Sequence, residues 1–564
     1  MLDALVRPLL LIALVTAAAG PWCVVALLRP ALVKAGLSPN LVDPIEGRVA
    51  RIVNTGAWIA VAASLPELYL QTVDISGGSI LSGIELSAVW RFLTRTTAGR
   101  VWISRILLLA ALLVVLRTSP EPARGSCGQP GRTMPRSRSG LSWWTALALA
   151  AAALVSRAFA SHASAQPSGS VIAIAADSLH ILAAASWIGL LIQFRLLLGR
   201  LRQLEEVTGE PVLTSIVNRI TPIALASAGM LICTGLYNAT RQLDSPLSII
   251  ASPYGLTLLA KLLLLVPVLT AGALNFLVIR PTLRVSSPSA NGPDAQRPTV
   301  ARRLLSLVEI EASVGAAILA LAAVLGAVPP AVDDPGGTLS LGRLLYLFTP
   351  RLPPVSSPGL GPGPWPALQQ TPDDYAYSVF NHTWAGAALM VMAIGSFLEG
   401  LPGRRFRWAR AWPIGFVLLA IFLFIRNDPE AWPFGPVGFL ESMRIPEMVQ
   451  HRLSVLLLVA LGGVEYLGRS GQVGQSRWAY VFPSLCLFGG FMLFSHSHDI
   501  GVSASDTQTY IYVQHAVMGT FALLAGLSRW FQLSRHQEGR WFGRLWPLFV
   551  FLLGLQMFLF YKET

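Results

Sequence analysis

Charge is scarce in this chain. Only 13% of its 564 residues are Asp, Glu, Lys or Arg. A soluble protein of that length carries about twice that share. Cysteine is scarcer still, with four residues: Cys23, Cys127, Cys233 and Cys486. They lie far apart and form no CxxC pair, so neither a zinc ribbon nor a disulfide framework is expected. Nucleotide-binding loops, HExxH and nucleophile-elbow patterns are missing too, and no soluble region is large enough for an ordinary active site. Catalysis is therefore not expected, and neither is direct ATP coupling.

Apolar residues are plentiful: 53% of the chain, with a mean hydropathy of +0.58. The apolar runs recur from end to end. Runs of about 20 residues cross a bilayer. They predict an all-α, polytopic membrane protein of about 14 helices. Eight fall near 6–28, 52–70, 101–116, 142–160, 171–194, 220–240, 255–279 and 305–328. Six more fall near 376–398, 411–425, 448–467, 478–495, 511–528 and 545–561. The run Leu9 to Ala19 lacks a basic flank and reads as a first helix rather than a signal peptide.

The net charge is +13, yet nucleic acid is not the expected partner. Of 42 Lys and Arg, 28 lie in alternate loops: 29–51, 117–141, 195–219, 280–303, 400–411, 468–477 and 529–544. Basic loops face the cytoplasm. Both termini are then expected in the periplasm, or outside in a cell with one membrane. Segment 329–375 is rich in Pro and Gly and reads as an outer linker. Three parts result: an eight-helix domain over 1–328, the linker, and a six-helix, His-rich domain over 376–564. Within the first part, Gly99 precedes Arg105 by six residues and Gly255 precedes Lys261 by six. That hints at a parallel repeat of four helices, although interfacial snorkelling of each cation explains it equally well.

Seven of eight histidines map to the outer side; His536 is the exception. His162 is in an outer loop, and His180 lies inside the fifth helix. His382, His451 and His515 begin helices of the second bundle. His496 and His498 end another, followed by Asp499. Polar residues inside spans are costly and mark sites or pathways. Imidazoles on facing helices of a bundle can build a metal centre. Met448, Met518 and Met492 lie three or four residues from His451, His515 and His496, on shared helix faces. Thioethers suit Cu(I), while gap filling in apolar helices is the plainer reading. Asp177 is expected to orient His180 as a supporting carboxylate. Glu67 is a further donor, or simply an interfacial carboxylate.

The run Asp177-Ser-Leu-His180, continued by Leu182 to Gly189, resembles the copper resistance protein D family of bacterial inner-membrane proteins. Thr234-Gly-Leu-Tyr-Asn238, Ser252-Pro-Tyr-Gly255 with Lys261, Gly272-Ala-Leu-Asn275 and Arg302 follow in the family's order. The resemblance is clear over 170–328 and looser over 1–170. The second bundle, marked by Arg426-Asn-Asp-Pro-Glu430-Ala-Trp-Pro433, Gln450-His451-Arg452 and Gln514-His515, is similar to an extension that some members carry. The resemblance implies copper, as Cu(I) or Cu(II), taken from the periplasm to the cytoplasm. A periplasmic copper carrier is the implied donor, and His180 is the one metal residue the core motif implies. Two alternatives remain: a haem b electron carrier with axial histidines, and a copper-insertion factor for a respiratory oxidase.

Overall fold

A computed structural model describes the chain except residues 1, 38, 77–84, 119–139, 162–169, 210–211, 286–296, 335–336, 359–371, 402–405, 429–430, 434, 471–476, 495–505, 535–540 and 564. Among the described residues the elements are helices, with one isolated bridge between Ala431 and Val437. Long apolar stretches satisfy every backbone group within the helix, as a bilayer demands.

Eight helices form the first bundle. They are α1 (Val6–Lys34), α2 (Leu41–Val73), α3 (Thr97–Thr118), α4 (Leu141–Ala160), α5 (Ser170–Thr208), α6 (Val212–Gln242), α7 (Pro253–Thr282) and α8 (Ser306–Leu325). The second set comprises α9 (Pro372–Glu399), α10 (Trp408–Arg426), α11 (Met448–Arg469), α12 (Trp478–Leu493), α13 (Gln508–Ser534) and α14 (Phe542–Phe560). Twelve of these are long and apolar enough to cross a membrane, which makes this a multi-pass membrane protein. The expected fourteen is not reached on that measure. The polar start of α9 dilutes its hydropathy, and α12 has 16 residues in its apolar stretch.

Burial separates central helices from lipid-facing ones. The apolar windows of α1, α5, α8 and α13 are 67% buried, against 17% for α6 and 22% for α7 and α14. The α1 helix packs on α2, α4, α5 and α8. The apolar core runs onward into the second set through Phe494, Ala516, Leu523 and Phe531. Helices α7 and α13 pack together. Part of the connecting segment is also docked: a short helix, Leu341–Leu347, buries Leu344 and Leu347 with Leu339 against Ala251, Tyr510 and Val513. Expected to be an extended linker, this stretch instead seals the two sets together where its own apolar residues allow.

Buried ion pairs tie helix ends on the side that carries the basic loops. Arg29 donates to Glu46 at 2.7 and 3.0 Å, and Trp143 donates to the same carboxylate at 2.9 Å. In the second set Glu465 accepts from Arg469 at 2.5 Å and from Arg529 at 2.8 Å. Arg469 also reaches Glu399 at 2.7 Å and lies over the Trp412 ring. Removing the shared carboxylate leaves two guanidiniums facing each other in a low dielectric. Glu465→Ala is therefore expected to destabilise the protein by about 3–5 kcal/mol. Thermal unfolding in detergent reads this directly, and a midpoint equal to the wild type's would show the network to be dispensable.

Candidate functional site

Two polar centres lie on the opposite side, the side of Arg7. The first is built around the pair His382 on α9 and His515 on α13. Their ring centroids are 5.7 Å apart in a T-shaped arrangement. His382 Nδ1 lies 3.0 Å from the carbonyl of Ser378, and His515 Nδ1 lies 2.8 Å from that of Ile511. A carbonyl only accepts, so each Nδ1 carries the proton and each Nε2 carries the lone pair. That is the state in which imidazole ligates a metal, oriented by its other nitrogen. Metal–nitrogen bonds of about 2.0–2.1 Å place two ligating imidazole centroids on the order of 5–6 Å apart.

The tail after α14 completes this centre. Tyr561 is fully buried and stacks on His382 with centroids 3.8 Å apart. Its hydroxyl donates to Glu563, which also accepts from Ser378 Oγ at 2.7 Å. The tail is held from three sides. Gln514, beside His515, exchanges two 2.7 Å hydrogen bonds with the Lys562 backbone. Arg351 Nε donates to the Tyr561 carbonyl at 2.5 Å. Lys562 Nζ donates to Tyr346, and to Thr349 Oγ1 at 2.7 Å. Burial, with the charge of Arg351 adding, holds that ammonium below the ordinary lysine range. No sequence signal marks Tyr561 or Glu563, because His382, Ser378 and Arg351, which meet them, lie far back in the chain.

His451 on α11 has a carboxylate partner. Its Nδ1 lies 2.8 Å from Asp428 Oδ1, an arrangement that sets the tautomer and raises ligand basicity. Asp428 belongs to the Arg426–Pro433 motif, whose Arg426 donates to Asn381 beside His382 at 3.0 Å and to Ser357 at 2.6 Å. The motif thus braces the ends of α9 and α11. Asp428→Asn is expected to weaken metal held at His451 about 10–100-fold. Copper titration against a chromophoric chelator would measure it; equal affinity in the variant would remove Asp428 from the role.

Three of the five histidines of the second set, His382, His451 and His515, fall among the described residues. No group of three or more His, Cys, Asp or Glu stands together as a metal site there. His382 and His515 pair, and His451 joins Asp428. His496, His498 and Asp499 lie outside the described residues, as does His162. Met448, Met492 and Met518 are all buried.

The second centre is in the first bundle. A cavity of about 240 Å³ is lined by His180, Asp177 and Glu67 together with Arg105, Arg157 and Lys261. All eight helices reach it, each by the end that alternate crossings would present. The partner of His180 Nδ1 is Thr234 Oγ1 at 2.9 Å. Thr234 donates its own proton to the Met230 carbonyl, so it accepts from the ring and leaves the lone pair on Nε2. Asp177, expected to orient the ring, accepts from Ser161 at 2.8 Å. Glu67 is ion-paired with Arg105 and lies 3.9 Å from Arg157.

Against this geometry stand the comparisons with known proteins. A family model described as copper resistance protein D matches residues 215–325. A second, copper resistance protein D-like, N-terminal domain, matches residues 1–172. This chain belongs to the copper resistance protein D family. It is 30% identical over 290 residues to copper transport protein CutJ of Bacillus subtilis (strain 168), which covers 51% of this chain and 47% of CutJ. The chain thus spans about half the length of that relative. No solved structure matches. The two family matches bracket the His180 motif without including it, and both end before the His382–His515 pair.

Proposed function

We propose that this copper resistance protein D relative binds copper on its outer side and passes it to the cytoplasm across the bacterial inner membrane, with both termini in the periplasm. The observation that carries the reading is the His382–His515 pair. Both rings are locked by their own helices with the lone pairs on Nε2, at a separation that suits one ion between them. Copper is cargo here, and a periplasmic copper carrier is its source. His451, braced by Asp428, is a second holding point. His496, His498 and Asp499 supply the capture motif. No catalytic step belongs to this reading.

Copper is favoured over haem b because the matching family model and the relative CutJ are both described by copper. Transport is tested by loading proteoliposomes with a Cu(I) chelator and following copper entry. Uptake above empty vesicles is expected, and it should fall to background in His382→Ala. Copper binding without uptake would sink transport and leave an insertion factor for an oxidase. A Soret band on the purified protein would favour haem.

A further inference from the structure

The cavity of the first bundle is assembled by an internal repeat. A short helix, Leu86–Arg95, precedes α3, and another, Ser248–Ala251, precedes α7. Each join is made the same way. Thr96 Oγ1 donates to the Phe92 carbonyl at 2.8 Å and accepts from Gly99 N at 2.9 Å. Ser252 Oγ donates to the Ser248 carbonyl at 2.7 Å and accepts from Gly255 N at 3.0 Å. A Cβ on either glycine would fall on those same carbonyls, so only glycine lets the short helix fold back so closely. Six residues on, Arg105 and Lys261 both enter the one cavity. Snorkelling to the interface does not account for two cations that share an interior pocket.

The repeat is unequal in charge. Leu68-Tyr69-x-x-Thr72 on α2 corresponds to Leu236-Tyr237-x-x-Thr240 on α6. Glu67, the partner of Arg105, therefore corresponds to Gly235. There the ring of His180 sits instead, 3.4 Å from where a Cβ would be. Lys261 thus has no counterpart of Glu67 on α6. Even leaving out Arg7, which donates to the Gly326 carbonyl at the rim, three cations face two carboxylates. Arg105 is 4% exposed, and its Nε has no hydrogen-bond partner among the described residues.

We propose that this cavity is an oxyanion site, taking a small carboxylate or phosphate group between Lys261, Arg105 and Arg157. Guanidinium forks suit both groups, and His180 is engaged through Nδ1 with Thr234. A bare copper ion meets a net positive wall, so the site is distinct in chemistry from the His382–His515 centre and does not rest on it.

The test uses the full chain in detergent with three metal-free probes: inorganic phosphate, succinate and a short-chain phosphatidylglycerol. Sodium chloride at matched ionic strength is the control. Saturable thermal stabilisation by at least one probe is expected, with affinity about tenfold weaker or more in Lys261→Gln. Phosphate or succinate binding identifies a free oxyanion; binding of the phospholipid alone identifies a headgroup. Stabilisation no greater than the chloride control with all three probes overturns the proposal, as does unchanged affinity in Lys261→Gln. If that variant does not fold, Arg157→Gln carries the same comparison. Copper content is read separately, so failure of either centre leaves the other standing.

Discussion

Protein with both His382 and His515 changed to alanine is expected to lose the copper proposed to bind between α9 and α13. Each single variant should bind at least about 100-fold more weakly, since even supporting residues around a metal cost 10–100-fold. The reason is geometric. The two Nε2 atoms are aimed by carbonyls of Ser378 and Ile511, one turn back on their own helices. Neither ring can be replaced by a neighbour without remaking its helix end. Tyr561→Phe separates the ligands from their support, because it keeps the stacked ring and removes the hydroxyl that donates to Glu563. Its effect should be smaller, about tenfold. Anaerobic metal analysis of the purified variants decides the matter. Full copper content in both single variants would end the case for this pair as the site.

The second large effect is expected where α9 meets α14. A Cβ on Gly386 would lie 2.6 Å from the Gly554 carbonyl, and one on Gly554 would lie 2.6 Å from the Gly386 carbonyl. The two backbones touch reciprocally, as small residues permit between membrane helices. Gly386→Leu forces them apart. It should cost about 3 kcal/mol or more, since backbone cannot yield as a side chain does. The same contact fixes the site: α9 carries His382, and α14 leads directly to Tyr561. Thermal unfolding and copper binding should therefore fall together in Gly386→Leu. A variant with the wild type's midpoint would show that the helices tolerate a wider separation than the structure gives.

How much of this was legible beforehand differs between the two centres. The eight spans between Val6 and Leu325 are legible in the sequence, because their apolar runs are long and separated by basic loops. The pairing of Gly99 with Arg105 and of Gly255 with Lys261 was visible as a faint repeat. Only the fold revealed that both cations enter one cavity with Glu67, Asp177 and His180. In the second bundle the histidines stand out in the sequence, yet depth in the membrane does not fix azimuth around a helix. His382 met His515, while His451 turned to Asp428. Segment 341–347 looked like linker because Pro and Gly surround it; its leucines pack all the same.

The sequence by itself determined the helical class, the approximate spans, the alternation of basic loops with apolar runs and the membership of a copper family. Those depend on transfer of whole segments into lipid, a property that adds along the chain. Tertiary structure decided which polar groups share a cavity, which histidines pair, and that Tyr561 and Glu563 close over His382. Those depend on contacts between helices far apart in sequence, where a rotation of one residue, about 100° around the axis, changes every partner.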